Sequence, residues 1–157
     1  MVERTKSPHK KHITVIIKNQ TDLYLTERMY AMKMKFYRCR VCGNIMAAVK
    51  ESGMTVMCCG EKMEEIKPNT VDAAFEKHIP QFTVDGRTVH VKVGEAPHPM
   101  MPEHYIEWIA VQTTNGNQRK ELRPVDAPEA CFALCEGDEV KAVYAFCNLH
   151  GLWKKDN

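Results

Sequence analysis

The sequence predicts a mainly β protein in which a small metal-stapled module precedes an antiparallel β-sandwich. Three observations carry this. Cys39, Cys42, Cys58 and Cys59 fall in a stretch too short to bury a sufficient core of its own. Downstream, alternating segments are interrupted at Asp85-Gly86, Asn115-Gly116 and Glu136-Gly137-Asp138, residue types that suit tight hairpin turns. Between the two parts, Lys67-Pro68-Asn69-Thr70 has the composition of a linker.

Composition sets the outer bounds. A chain of 157 residues with 44% hydrophobic content is long enough for one ordinary domain or two small ones. Its formal net charge of +2 points globally to neither nucleic acid nor membrane. Seven cysteines, an odd number including a CxxC pair, suggest metal thiolates in a reducing cytoplasm rather than a disulfide framework. The N-terminus has no long apolar core or small-residue cleavage site, so no secretory leader is expected. Its longest apolar run, Ile13 to Ile17, is far too short to span a bilayer.

Residues 1–34 form a basic extension with no metal-type cluster, read as either disordered or not native. Within it, Ile13 to Ile17 could pair as a strand and Leu23 to Ala31 could form a short helix. His9 and His12 are isolated and read as solvated. Met32 and Met34 stand just before the first module, so a start of translation there is an open alternative.

Residues 35–68 are the four-cysteine module. Glycine follows each cysteine pair, as Cys42-Gly43 and Cys59-Gly60, and lets the chain turn tightly around sulfur. Four thiolates satisfy either iron or zinc. The adjacent pair Cys58-Cys59 sets the site apart from a ribbon with two CxxC knuckles, because neighbouring residues must turn to one metal.

Residues 69–157 read as three hairpins: Gln81–Val84 with Arg87–Val93, Tyr105–Thr114 with Asn117–Val125, and Ala130–Cys135 with Glu139–Phe146. In the second, His104, Ile106, Trp108 and Ala110 are expected to share the core face. Cys131 and Cys135 are expected to pack into the core as small apolar residues. His90 alternates with Thr88 and Lys92 and is expected to face solvent.

The chemistry concentrates in short loops of this second part. Cys147 and His150 lie three apart in Cys147-Asn148-Leu149-His150-Gly151-Leu152-Trp153, a soft thiolate and an imidazole offered together. His78 stands before Pro80, and His98 and His104 bracket a loop stiffened by Pro99 and Pro102. Four imidazoles and a thiolate suit iron better than a structural zinc. Five protein ligands leave an octahedral metal one open position, which favours one-electron chemistry on a small oxygen ligand. Lys77, beside His78, is placed to attract an anion, and Glu76 to act as a displaceable ligand or in a proton network. Ordinary solvated side chains are the competing reading for both.

Together these motifs resemble desulfoferrodoxin, the two-iron form of superoxide reductase. The resemblance spans residues 35–157 and rests on Cys39-x-x-Cys42-Gly43 with Cys58-Cys59-Gly60, on Glu76-Lys77-His78-Ile79-Pro80, on His98-Pro99-Met100 through His104, and on the Cys147–Trp153 stretch. It implies a desulforedoxin-like module and an immunoglobulin-like sandwich holding two iron ions per chain. One would be Fe(Cys)4, on Cys39, Cys42, Cys58 and Cys59. The other would be Fe(His)4Cys, with His78, His98, His104 and His150 equatorial and Cys147 axial. It further implies one-electron reduction of superoxide to hydrogen peroxide without release of dioxygen, assisted by Lys77, with Glu76 at the sixth position in the oxidised state. Rubredoxin as donor, a homodimer and an anaerobic or microaerophilic host complete the implication. The extension has no counterpart in the family pattern. Two other classes compete: an electron carrier using only the four-cysteine iron, and a zinc-stapled module whose basic segment contacts nucleic acid.

Overall fold

The computed structural model describes residues 34–157, so the expectations for residues 1–33 lie outside the described residues. The module comprises β1 (Lys35–Arg38), β2 (Ile45–Ala48), β3 (Met57–Cys58), β4 (Glu61–Lys62) and β5 (Glu64–Glu65). Strand β1 lies between β2 and β5, and β3 pairs with β4 as a separate small ribbon. After it come one helical turn, α1 (Phe75–His78), and seven strands: β6 (Pro80–Asp85), β7 (Thr88–Val93), β8 (Ile106–Thr113), β9 (Asn117–Glu121), β10 (Glu129–Ala133), β11 (Val140–Cys147) and β12 (Gly151–Asp156). No helix among the described residues is long and apolar enough to cross a membrane.

The seven strands form two antiparallel sheets, ordered β10-β7-β6 and β12-β11-β8-β9. This is an immunoglobulin-like sandwich. Its inner core joins Val89, Val91, Val93 and Phe132 of the smaller sheet to Ile106, Ile109, Val111, Val143 and Ala145 of the larger. The first two expected hairpins form. Asp85 pairs with Thr88 around a two-residue turn that Gly86 enters at φ +56°, one position later than the Asp-Gly dipeptide suggested. Gln112 pairs with Asn117 across the Asn115-Gly116 turn.

The third hairpin does not form. Strand β10 pairs with β7, whereas β11 pairs with β8 and β12. The Glu136-Gly137-Asp138 turn carries the chain from one sheet to the other. A turn signal reports a reversal of direction, and here two apolar faces meet across the core instead of two edges pairing.

Two face assignments also change. Ile106 belongs to the inner core but Trp108 and Ala110 to the outer face, because the register shifts where Phe146 pairs with Trp108 and Cys147 with Ile106. The extra residue, Glu107, is a β-bulge, and a bulge swaps the faces on either side of it. Cys131 and Cys135 are exposed rather than core. Ala130, Phe132 and Leu134 occupy the buried face of that segment, and the larger apolar set takes the core. His90 is exposed, as its polar neighbours suggested.

The larger sheet is buried on both faces. Trp108, Ala110, Ala142, Tyr144, Phe146 and Leu152 make a second cluster on its outer side, and the module covers it. Phe36 of β1, 3% exposed, is the anchor, with its ring 5.0 Å from that of Trp108 and 5.6 Å from that of Tyr144. Trp108 stacks on Phe146 at 5.4 Å with 7° between planes. Gln112 Oε1 accepts from the Tyr144 hydroxyl at 3.1 Å and from the Met34 backbone N–H at 3.4 Å. The backbone N–H groups of Asn69 and Lys154 donate to Leu152 O and Asn69 Oδ1, fastening the linker to β12.

Replacing Phe36 with Ala is expected to lower the stability of the whole chain by about 3–5 kcal/mol, the usual cost of emptying a buried aromatic site. Urea unfolding followed by tryptophan fluorescence measures it; a loss below about 1 kcal/mol would mean that the module does not lean on the sandwich as described.

Candidate metal centres

The five histidine and cysteine side chains come from three segments that reach one end of the sandwich. His78 ends α1 just before β6, His98 and His104 lie in the β7–β8 connection, and Cys147 and His150 flank the β11–β12 turn. Alternation along β11 turns Cys147 inward with Ala145 and Val143, so its thiol closes the end of the inner core and is fully buried. The ligand-type atoms of all five residues lie within 4.8 Å of one another.

The four imidazoles form a ring in the order His78, His98, His104, His150. Neighbouring centroids are 4.8, 4.6, 4.9 and 4.6 Å apart around it, and the His78–His104 diagonal is 6.2 Å. Each ring stands nearly perpendicular to its neighbours, at 75° to 84°. That is a square of imidazoles, with the Cys147 sulfur on the core side.

Each ring is aimed. Nδ1 of His78 hydrogen-bonds Ala74 O at 2.7 Å, and Nδ1 of His98 bonds Pro99 O at 2.6 Å. Spending Nδ1–H on a carbonyl fixes the tautomer and leaves Nε2 with a free lone pair. His150 is presented the other way: its Nδ1 lies 2.8 Å from His78 Nε2 and 3.5 Å from Cys147 Sγ. Among the described residues, His98 Nε2 and His104 Nε2 are buried nitrogens with no hydrogen-bond partner. Buried polar atoms are seldom left so, and converging lone pairs fit a metal ion. Five donors with a square base exceed the tetrahedral set of structural zinc and suit iron.

Burial is the main cause that lowers the pKa of His78, His98 and His104, and it brings His98 to about 4. The rings are therefore neutral near pH 7, the form that binds a metal. Burial pushes the Cys147 thiol up, while the backbone N–H groups of His150 and Leu149 favour its thiolate. Lys77 and Glu76 are both exposed on α1. The charge of Lys77 contributes to lowering His104, after burial and His150. Its ammonium is thus within electrostatic reach of the ring of histidines, and among the described residues it makes no ion pair.

In the module, Cys39, Cys42, Cys58 and Cys59 also converge within 4.8 Å. Cys42 Sγ lies 3.6 Å from Cys58 Sγ, and Cys58 Sγ lies 3.9 Å from Cys59 Sγ. Two adjacent cysteines reach one point because Cys59 takes a left-handed conformation, φ +51°, which non-glycine residues adopt at a cost. The backbone N–H of Cys42 is the chief cause that lowers the Cys39 thiol, whereas hydrogen bonding to Cys42, Cys58 and Cys39 pushes Cys59 up to about 12. Four sulfurs this close cannot all ionise unless a cation is among them, and a bound metal supplies that charge.

Several supporting residues were not found by reading the sequence. Asn148 clamps the two ligand loops together: Oδ1 accepts from Tyr105 N at 3.0 Å, and Nδ2 donates to Glu103 O at 3.0 Å. Its place directly after Cys147 was the only signal. Trp153 is fully buried and stacks on His78 at 4.8 Å, and the ring of Phe75 meets Trp153 edge-on at 5.3 Å. Gly94, at φ +83°, lets the loop after β7 touch α1; a Cβ there would sit 2.3 Å from Ala96 O and 2.6 Å from Lys77 O. Glu95 N donates to Glu76 O across the same contact at 2.7 Å.

Fold and sites together define a two-centre metalloprotein: a thiolate module joined to an immunoglobulin-like sandwich with a four-imidazole, one-thiolate pocket at its end. Comparison with known proteins places it more closely. The chain belongs to the desulfoferrodoxin family, whose model (Desulfoferrodoxin) matches residues 70–156, with the Desulfoferrodoxin, N-terminal domain model matching residues 31–66. It is 41% identical over 126 residues to the desulfoferrodoxin of Syntrophotalea carbinolica, covering 80% of this chain and 98% of that one. It is 44% identical over 121 residues to a desulfoferrodoxin homolog of Archaeoglobus fulgidus, covering 77% of this chain and 95% of that one. Among solved structures, the superoxide reductase of Treponema pallidum matches with a TM-score of 0.68 and 43% identity, over 79% of this chain and 99% of that one. The two side-chain groups accordingly suit two iron ions per chain, Fe(Cys)4 and Fe(His)4Cys.

Replacing Gly94 with Ala is expected to push α1, and His78 with it, out of the ring. Iron analysis should then fall from two per chain toward one, with the absorption of the four-cysteine centre retained. Two irons per chain in the variant would show that the Gly94 contact does not position the site.

Proposed function

We propose that this protein is a superoxide reductase, catalysing superoxide + electron + two protons → hydrogen peroxide, with no dioxygen released. The observation that carries the reading is the square of four imidazoles beside the buried Cys147 sulfur, with an exposed lysine that makes no ion pair among the described residues. Ferrous iron, held by His78, His98, His104, His150 and Cys147, would supply the electron and bind the anion. The protein's own residues do the rest. Lys77 draws superoxide toward the ring by charge and holds a proton at Nζ for the product oxygen. His78, His98 and His104, kept neutral by burial, add no charge that would compete for the anion. Glu76, next along α1, offers an exposed carboxylate that would serve as a displaceable ligand when no anion is bound and would relay protons from water. Cys147, buried at the end of the inner core, would be the thiolate donor to that ion. Each turnover needs one electron from a redox donor, and we assign that role to a rubredoxin-type carrier. We assign residues 35–68 to the desulforedoxin-like module, residues 69–157 to the catalytic domain, and the reaction to the cytoplasm of a host that profits from removing superoxide without regenerating dioxygen.

The reduced protein, pulsed with superoxide under anaerobic conditions, should yield close to one peroxide per superoxide consumed while its iron is oxidised. A ratio of one half with dioxygen release would mean dismutation and overturn the reading. Lys77→Ala should slow the bimolecular reaction by about tenfold and flatten its salt dependence, as loss of an electrostatic guide does; an unchanged rate would remove Lys77 from the mechanism.

We also read the protein as a homodimer joined through the module, where Val41, Met46, Met54 and Met57 are exposed together with Val49. Light scattering on the full chain should give twice the mass of 18.0 kDa. A monomer would refute this arrangement, and failure of reduced rubredoxin to re-reduce the oxidised protein would refute the donor.

A further inference from the structure

Among the described residues outside both metal groups, one pair of side chains carries chemistry. Cys131 on β10 lies directly opposite His90 on β7, and Cys131 Sγ is 3.3 Å from His90 Nδ1. Both residues are exposed, on the outer face of the smaller sheet. They line a shallow depression of ≈ 320 Å³, together with Thr83, which pairs with His90 from the other side, and with Lys92 and Glu129 one row along. A thiol and an imidazole within hydrogen-bond reach are the parts of an activated nucleophile. The pair belongs to no group of three or more metal-type side chains among the described residues, so nucleophilic chemistry fits it better than metal binding. Cys135, exposed on the same segment, shows no imidazole contact among the described residues and is a built-in control.

We propose that Cys131, activated by His90, is a peroxide-reactive thiol. The Sγ proton passes to His90 Nδ1, and the thiolate attacks one oxygen of hydrogen peroxide. An S–O bond forms as the O–O bond breaks, and the departing hydroxide takes the proton from the imidazolium and leaves as water. Sulfur loses two electrons and peroxide gains them: thiol + H2O2 → sulfenic acid + H2O. Cys135 stands four residues on, past the end of β10 at Ala133; both cysteines are free, and no contact joins their sulfurs among the described residues. The sulfenic acid therefore waits for a thiol from another molecule, which makes it a mark on the protein rather than an internal bridge. The reaction needs peroxide from any source. Only its physiological sense, a record of the enzyme's own product, rests on the reductase reading.

The test uses the full-length, iron-loaded, oxidised protein and reagent hydrogen peroxide, so that it does not depend on reductase activity. Dimedone traps sulfenic acid, and peptide mass spectrometry gives the labelling rate at each cysteine. Cys131 is expected to label at least ten times faster than Cys135, and His90→Gln to bring it close to the Cys135 rate. C131S should abolish the fast phase while leaving iron content and peroxide yield from superoxide unchanged. A Cys131 rate less than ten times that of Cys135, or one that H90Q leaves unaltered, overturns the proposal.

Discussion

The pairing of β8 with β11 is the constraint on which the rest depends. These two strands are the centre of the larger sheet and are buried on both faces almost throughout. Their inner side closes the sandwich core, and their outer side receives Phe36 and the module. The same pair ends at the metal pocket, because Cys147 is the last residue of β11 and His104 stands just before β8. The two bulges, at Lys141 and Glu107, adjust which side chains face inward. Without the second of them, Ile106 and the outer-face Trp108 could not both be buried in their separate cores.

At the pocket, backbone and core position the ligand side chains. Carbonyls hold the Nδ1 of two rings, Asn148 ties the loop bearing His104 to the loop bearing Cys147, and Trp153 backs His78. Burial keeps the rings neutral, so their lone pairs are available near pH 7. In the module the logic is the reverse. Its sulfurs sit on a small, exposed scaffold and resist joint ionisation, so there the metal organises the chain as much as the chain organises the metal.

Much of this was legible in the sequence, for identifiable reasons. Ligand-type residues stand in Pro- or Gly-bounded loops, where composition alone marks them, and the two side-chain groups expected from spacing do come together. Turn dipeptides located the reversals of the chain. They did not reveal which strands pair, so the β10–β11 reversal was mistaken for a hairpin. Alternation failed along β8, where both faces are buried and a bulge breaks the period. It misled at Cys131 as well, because a thiol reads as apolar although Phe132 and Leu134 had the stronger claim on the core. The choice of ring nitrogen at His150, and the clamp at Asn148, follow from loop geometry that no local pattern encodes.

The outer aromatic cluster has a consequence for how such chains can change over time. Trp108, Tyr144 and Phe146 belong to the sandwich by sequence, but their cover belongs to the module. A lineage that lost the first centre would inherit a sheet with a bare aromatic flank, open to unwanted association. The module could be discarded only if these residues turned polar at about the same time, or if another surface came to lie over them. The two halves read as separate cassettes, yet they share one wall.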